Sequence, residues 1–152
     1  MKDKVAIIGV GCTKFGDNFD SSYEDMVVEA AYAAFADARI EPERIEAAWL
    51  GTFSPHAGHG KASVSLADSL RLYGKPITRV ENFCATGTDA FRNAAMAIAA
   101  GVYEVALVVG AEKLKDRPVR GLASEGRHPY QGDGLTAPGI FALAANRYFH
   151  RF

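Results

Sequence analysis

The chain has 152 residues, long enough for one domain with a sizeable buried core. A formal charge of −1 with 23% charged residues gives no field suited to nucleic acid or an anionic membrane surface, which leaves small molecules and protein partners. No apolar stretch approaches the length of a membrane span, and two cysteines far apart in sequence, Cys12 and Cys84, do not make a disulfide framework; reduced thiols in a cytoplasmic protein are expected.

Val5–Gly11 is a continuous apolar run with β-branched character, as expected of a first strand covered on both faces. It superficially resembles a signal peptide, but it is short and leads into Lys14 and Asp17 without a convincing cleavage site. Ser21 and Glu24 have the spacing of a capping box. Met26, Val27, Ala30, Ala31, Ala34, Phe35 and Ala38 then follow on one helical face, with Pro42 beyond its end. Ala47–Phe53 is a second short buried strand, and the Gly-, His- and Pro-rich residues 54–60 form a loop at its C-terminal end. Ser63–Tyr73 has helical character stopped by Gly74. Ile77–Phe83 alternates as a third strand, Ala85–Ala100 is an alanine-rich helix ended by Gly101, and Val105–Ala111 is a fourth buried strand.

Strands alternating with helices predict an α/β layered fold, with a mostly parallel sheet and helices on both faces. Ligands in such sheets bind beyond the C-terminal strand ends. Residues 1–112 form the expected core, and 113–152 the start of a long Gly-rich loop region followed by a terminal helix. That helix opens at Pro138 and brings Phe141, Ala144, Ala145, Tyr148 and Phe152 near one face. No Gly, Asn or polar tail stops it, so the chain reads as truncated.

Cys84 is the candidate for chemistry. It follows the third strand and starts the alanine-rich helix, where backbone N–H groups lack internal partners and the dipole end is positive. A thiolate is stabilised there, and the same N–H groups suit an oxyanion formed from an acyl thioester. Gly87 leaves room above the helix, and Ala85, Ala90, Ala94 and Ala95 allow close packing. Position alone does not separate this role from that of a small buried hydrophobe.

The segment Glu81-Asn82-Phe83-Cys84-Ala85-Thr86-Gly87-Thr88-Asp89-Ala90-Phe91-Arg92-Asn93-Ala94 resembles the nucleophile region of the thiolase superfamily. The opening Ile7–Gly16, the strand Val105–Gly110 with Glu112–Asp116, and Ala137–Ala142 continue the likeness across essentially the whole chain. It is closest to the lipid-transfer-protein (sterol-carrier-protein) type of thiolase and to acetyl-CoA acetyltransferases, and it covers the N-terminal half of the family's fold. The resemblance implies acyl transfer through an enzyme thioester, with Cys84 attacking a 3-ketoacyl-CoA or acetyl-CoA. Coenzyme A enters as a substrate thioester, and no bound cofactor is implied. The family's activating histidine, its further oxyanion donors and its second cysteine belong to the C-terminal half, so a companion C-terminal-half chain is an expected partner. The family's strand matching Ile77–Phe83 lies at a dimer interface, which implies self-association. A non-catalytic truncated or split subunit, acting as a dimerisation or partner-binding module, is the alternative, and retro-aldol cleavage of an acyl-CoA is a related enzyme reading.

Other motifs carry weaker signals. Arg127-His128-Pro129 resembles the family's Gly-His-Pro motif, but Arg precedes the histidine and the position is too early, so His128 is read as a loop residue. Cys12 is read as a buried core thiol and Trp49 as a core residue. His56 and His59 lack further ligands at zinc-site spacing. Gly9 and Gly11 begin a dinucleotide fingerprint that fails at Lys14. Lys113, Lys115, Arg117 and Arg120 are interleaved with Glu112 and Asp116, as in a solvated loop.

Overall fold

The computed structural model describes residues 3–53, 62–114 and 136–152. The chain divides into two compact units, residues 1–113 and 114–152.

In the first unit, α1 spans Tyr23–Ala38. Its capping box is shifted one residue from the expected one: the Ser22 hydroxyl accepts from the Asp25 N–H at 3.0 Å, and the Asp25 carboxylate accepts from the Ser22 N–H at 2.8 Å. The shorter Asp does here what Glu24 was expected to do, because it sits at the third helical position. Tyr23, Val27, Ala31 and Phe35, four residues apart, form the buried stripe. A 3₁₀ turn at Pro42–Arg44 leads into β1, Ala47–Gly51, buried at every position. The short helix α2 covers Val64–Leu70 and ends where Arg71 turns left-handed, ahead of the predicted stop at Gly74. β2 is Ile77–Val80, α3 is Thr86–Ala99 and β3 is Ala106–Gly110. Gly101, at φ +73°, lies just beyond α3 as expected of a left-handed helix end.

The strands form a parallel three-stranded sheet in the order β2-β1-β3. β1 is central, with Trp49 opposite Thr78 on one side and Val108 on the other. One face packs Val27, Ala31 and Phe35 of α1 and Leu66 and Leu70 of α2 against Ala48, Leu50, Leu107 and Val109. The other face packs Ala90 and Ala94 of α3 against Ala47 and Trp49. Helices on both faces explain why β1 reads as an unbroken apolar run, and Trp49 is the core residue the sequence indicated.

The segment 5–11 departs from expectation. It forms no ladder, and Ile7, Ile8 and Val10 are exposed at 67%, 55% and 68%. It is held instead against α1. The Val10 N–H donates to the Asp37 carboxylate at 2.9 Å, and a Cβ at Gly9 or Gly11 would overlap the carbonyl oxygens of Ala34 and Ala30. Its apolar pattern is that of a buried strand, but none of the described residues pairs with it along the backbone. Cys12, which follows, is exposed rather than a core thiol, with its Sγ–H directed at the Thr13 carbonyl at 3.2 Å.

In the second unit, α4 spans Ala137–Arg151, with the Thr136 hydroxyl accepting from the Gly139 N–H at 3.3 Å and Pro138 in the first turn. Phe141, Tyr148 and Phe152 of its expected apolar face are exposed. Among the described residues no helix is long and apolar enough to cross a membrane.

Candidate functional site

The parallel strands end together at Gly51, Val80 and Gly110, and the residues that follow them build the site. Cys84 lies here, exposed, in a 3₁₀ turn over Phe83–Ala85 rather than in the first turn of α3 itself. The turn's own hydrogen bonds run from the Ala85 N–H to the Asn82 carbonyl, at 2.9 Å, and from the Thr86 N–H to the Phe83 carbonyl. The Cys84 N–H precedes both, so the turn leaves it outside its ladder. No side chain caps the start of α3, and a Cβ placed on Gly87 would meet nothing within 4 Å, in keeping with the open approach expected above this helix.

Phe83, immediately before the cysteine, takes a left-handed backbone at φ +47°. For a bulky residue this costs on the order of 1–3 kcal/mol and needs support. Its N–H donates to the Glu81 carboxylate at 2.7 Å, its carbonyl accepts the Thr86 hydroxyl at 2.6 Å, and its ring lies 5.0 Å from that of Phe53. Thr86, 5% exposed, also accepts the Asn82 N–H at 2.8 Å, so one buried hydroxyl ties both ends of the bend. Gly51 lets the start of α3 approach β1: a Cβ there would stand 3.3 Å from Thr86 and 3.4 Å from Gly87.

Behind the turn is a polar brace. Thr52, 1% exposed, donates its hydroxyl to the Glu112 carboxylate at 3.1 Å, and the same carboxylate oxygen accepts the Phe53 N–H. Arg79 donates to the Thr52 carbonyl at 2.9 Å. Tyr23 borders this brace, its hydroxyl pushed up to about pKa 12, first by burial and then by the Glu112 charge. The ends of all three strands are thereby tied beneath the residues flanking Cys84.

Sequence reasoning found Cys84 and Gly87 but missed Thr52, Phe53, Arg79 and Glu112. In the sequence Glu112 belongs to the charged loop, although its position directly after a strand end is an available signal. His56, His59, His128, Lys115, Arg117 and Arg120 lie outside the described residues. Among the described residues no cluster of His, Cys, Asp and Glu could hold a metal ion, and those of the first unit include no histidine.

The chain matches a family model described as thiolase, N-terminal domain, over residues 5–136. It is 34% identical to an acetyl-CoA acetyltransferase of Methanothermobacter thermautotrophicus, across 100% of this chain and 41% of that protein. It is 36% identical to sterol carrier protein 2 of Homo sapiens, across 73% of this chain and 20% of that protein. A solved Ltp2-ChsH2(DUF35) aldolase superposes at a TM-score of 0.68 with 27% identity, covering 97% of this chain and 38% of that one. The chain thus spans about two fifths of the length of the archaeal relative.

Proposed function

Because the chain belongs to the thiolase family and corresponds to its N-terminal half, we propose that Cys84 is the acyl-accepting nucleophile of a coenzyme A-dependent acyltransferase. The observation that carries this reading is an exposed thiol in a braced turn at the C-terminal ends of a parallel sheet. On a 3-ketoacyl-CoA the Cys84 thiolate adds to the 3-keto carbonyl, the C2–C3 bond breaks, and acetyl-CoA leaves as its enolate, which takes up a proton; on acetyl-CoA it adds to the thioester carbonyl. In the latter case the oxyanion collapses and the bond to the coenzyme A sulfur breaks; in both a new thioester forms on Sγ. The cysteine's proton passes to a base, and the departing coenzyme A thiolate takes one up. The Cys84 N–H is available to the oxyanion because the turn's ladder does not use it. The acyl group then leaves on an acceptor, which requires a base from outside the described part of the first unit. Coenzyme A is thus a substrate, and no resident cofactor is invoked. Two exposed free thiols support a reducing, cytoplasmic setting.

Incubation with acetyl-CoA followed by intact-mass measurement tests this proposal. The wild-type chain, alone or with the remainder of the relatives' length supplied, gains one acetyl group, and Cys84→Ala gains none. Absence of the adduct under both conditions refutes the reading.

The likeness to the aldolase favours a second reading, carbon–carbon cleavage by a retro-aldol route. That route has no use for an acyl-cysteine, so the same adduct separates the two. Self-association is a further part of the proposal. Among the described strands β2 stands at an edge of the sheet, and a strand edge is a template for pairing with a second copy. If the chain instead only binds partners, the module dimerises without forming the acyl adduct.

A further inference from the structure

A peptide unit is planar and trans, so the carbonyl of Phe83 and the N–H of Cys84 point in opposite directions from one rigid unit. Whatever fixes that carbonyl also fixes the direction of the N–H. One residue holds the carbonyl twice: the Thr86 hydroxyl donates to it at 2.6 Å, and so does the Thr86 backbone N–H. Both donors lie on the α3 side of the turn, so the Cys84 N–H points out of the turn and away from α3. β2 and β3 are both parallel to β1, and α3, which connects them, therefore runs back against the strands. Away from the start of α3 is thus beyond the C-terminal strand ends, the side on which such sheets take their ligands. The Cys84 N–H has no acceptor among the described residues, and the space over Gly87 is open.

This arrangement is held against strain. Phe83 is left-handed at φ +47°, and a bulky residue leaves that region by changing φ and ψ together. Its ψ is the torsion that turns the peptide unit carrying the Cys84 N–H. The other supports of Phe83, the Glu81 carboxylate on its N–H and the Phe53 ring against its own ring, act on atoms outside that unit. Among the described residues no other side chain reaches the Phe83 carbonyl. The Thr86 side chain is fixed in turn, being 5% exposed and accepting the Asn82 N–H at 2.8 Å.

We infer that Thr86 is a positioning residue for acyl transfer: it aims the Cys84 N–H at the oxygen that becomes negative when Sγ bonds to the acyl carbon. This role presupposes that Cys84 is the acyl-accepting nucleophile. In that step the π pair of the substrate carbonyl moves onto its oxygen, and a donor already aimed there stabilises the transition state more than the bound substrate. Thr86 acts through the Phe83–Cys84 peptide and not by contact with the substrate, so it governs the rate of acylation and leaves the binding of coenzyme A unchanged.

Two reactions of one thiol separate aiming from general support of the fold. Acetylation by acetyl-CoA passes through an oxyanion, whereas alkylation by iodoacetamide displaces iodide at a saturated carbon and forms none. Both rates are read by intact mass on wild type and Thr86→Val, the first over a range of acetyl-CoA concentrations. In the valine variant the maximal acetylation rate falls by about a hundredfold, the order of loss of one oxyanion donor, while alkylation shifts only several-fold and the half-saturating concentration is little changed. Thr86→Ser restores the ratio of the two rates. Should Thr86→Val not fold, the ratio is read for the same substitution in Phe83→Gly, where glycine takes the left-handed bend without strain, and it falls there too against Phe83→Gly alone. Equal falls in the two rates overturn the inference, as does acetylation of the valine variant at the wild-type rate. The direction of the N–H bond is read without acyl chemistry, from the residual dipolar coupling of the Cys84 amide in the isotope-labelled chain, and it changes in Thr86→Val. An acetyl adduct on the wild type with an unchanged coupling in the variant refutes the aiming alone. No adduct on the wild type refutes the nucleophile reading, and the role in acyl transfer with it.

Discussion

The buried hydroxyl of Thr86 donates to the Phe83 carbonyl at 2.6 Å while accepting the Asn82 N–H at 2.8 Å, and so holds the bend that presents Cys84. The link spans the left-handed residue, which is where support matters most. Thr86→Val keeps the shape but leaves a buried carbonyl and N–H without the hydroxyl. We predict a loss of about 1–3 kcal/mol in chemical denaturation. The alkylation rate of Cys84 by iodoacetamide shifts several-fold in the same variant, and Thr86→Ser restores both. An unchanged alkylation rate in the valine variant would show that the bend does not depend on this hydroxyl.

Glu112 gathers the Thr52 hydroxyl and the Phe53 N–H at one carboxylate oxygen. Glu112→Ala strands a hydroxyl that is 1% exposed. The expected cost is about 1–3 kcal/mol, with Glu112→Gln milder because an amide oxygen still accepts. Urea midpoints of the two variants against wild type check the order.

Tyr23 supplies a pH dependence. Its hydroxyl has a folded pKa of about 12 against the ordinary 10.0, raised by burial and by the nearby Glu112 charge. An acid whose folded pKa is raised contributes its full stability below the unfolded pKa and loses it as pH climbs toward the folded one. Stability therefore declines between pH 10 and 12, as this hydroxyl ionises in the unfolded chain before it does in the folded one. Tyr23→Phe, which cannot ionise, flattens that part of the stability–pH curve. A curve of unchanged slope would assign the alkaline loss to other groups.

Gly11 lies so close to α1 that a Cβ would overlap the Ala30 carbonyl oxygen, a backbone atom that cannot swing aside. Gly11→Ala is expected to lift the N-terminal segment from the helix while the sheet core remains, since that segment contributes no ladder. Limited proteolysis should therefore cut within residues 5–12 much faster, with little change in the thermal transition. A large fall in melting temperature instead would show that the segment supports the core.

Much of this molecule could be read from its residues in order. Local rules place α1 from its apolar stripe, α3 from its alanines and Gly101, and β1 from five successive buried residues. The same rules bring Cys84 to a strand-to-helix bend, because the switch from period-two to helical spacing falls at that residue. They err by a residue at the cap of α1, where Ser21 and Ser22 are chemically equal and only the backbone angles choose between them.

The alternating α/β order, the apolar positions and a thiol just beyond a strand are legible in the residues alone. Tertiary structure decided what those features meet. Glu112 reaches Thr52, sixty residues away, only because β1 and β3 pair in parallel and end together. Cys84 lies in a braced 3₁₀ turn instead of a simple helix start, because Phe83 is fixed left-handed by Thr86, Glu81 and Phe53. The run Val5–Gly11 has the composition of a buried strand, yet burial needs a neighbour on each side, and composition cannot supply one. Its apolar side chains remain exposed because strand pairing is a property of two backbones, and none of the described residues pairs with it.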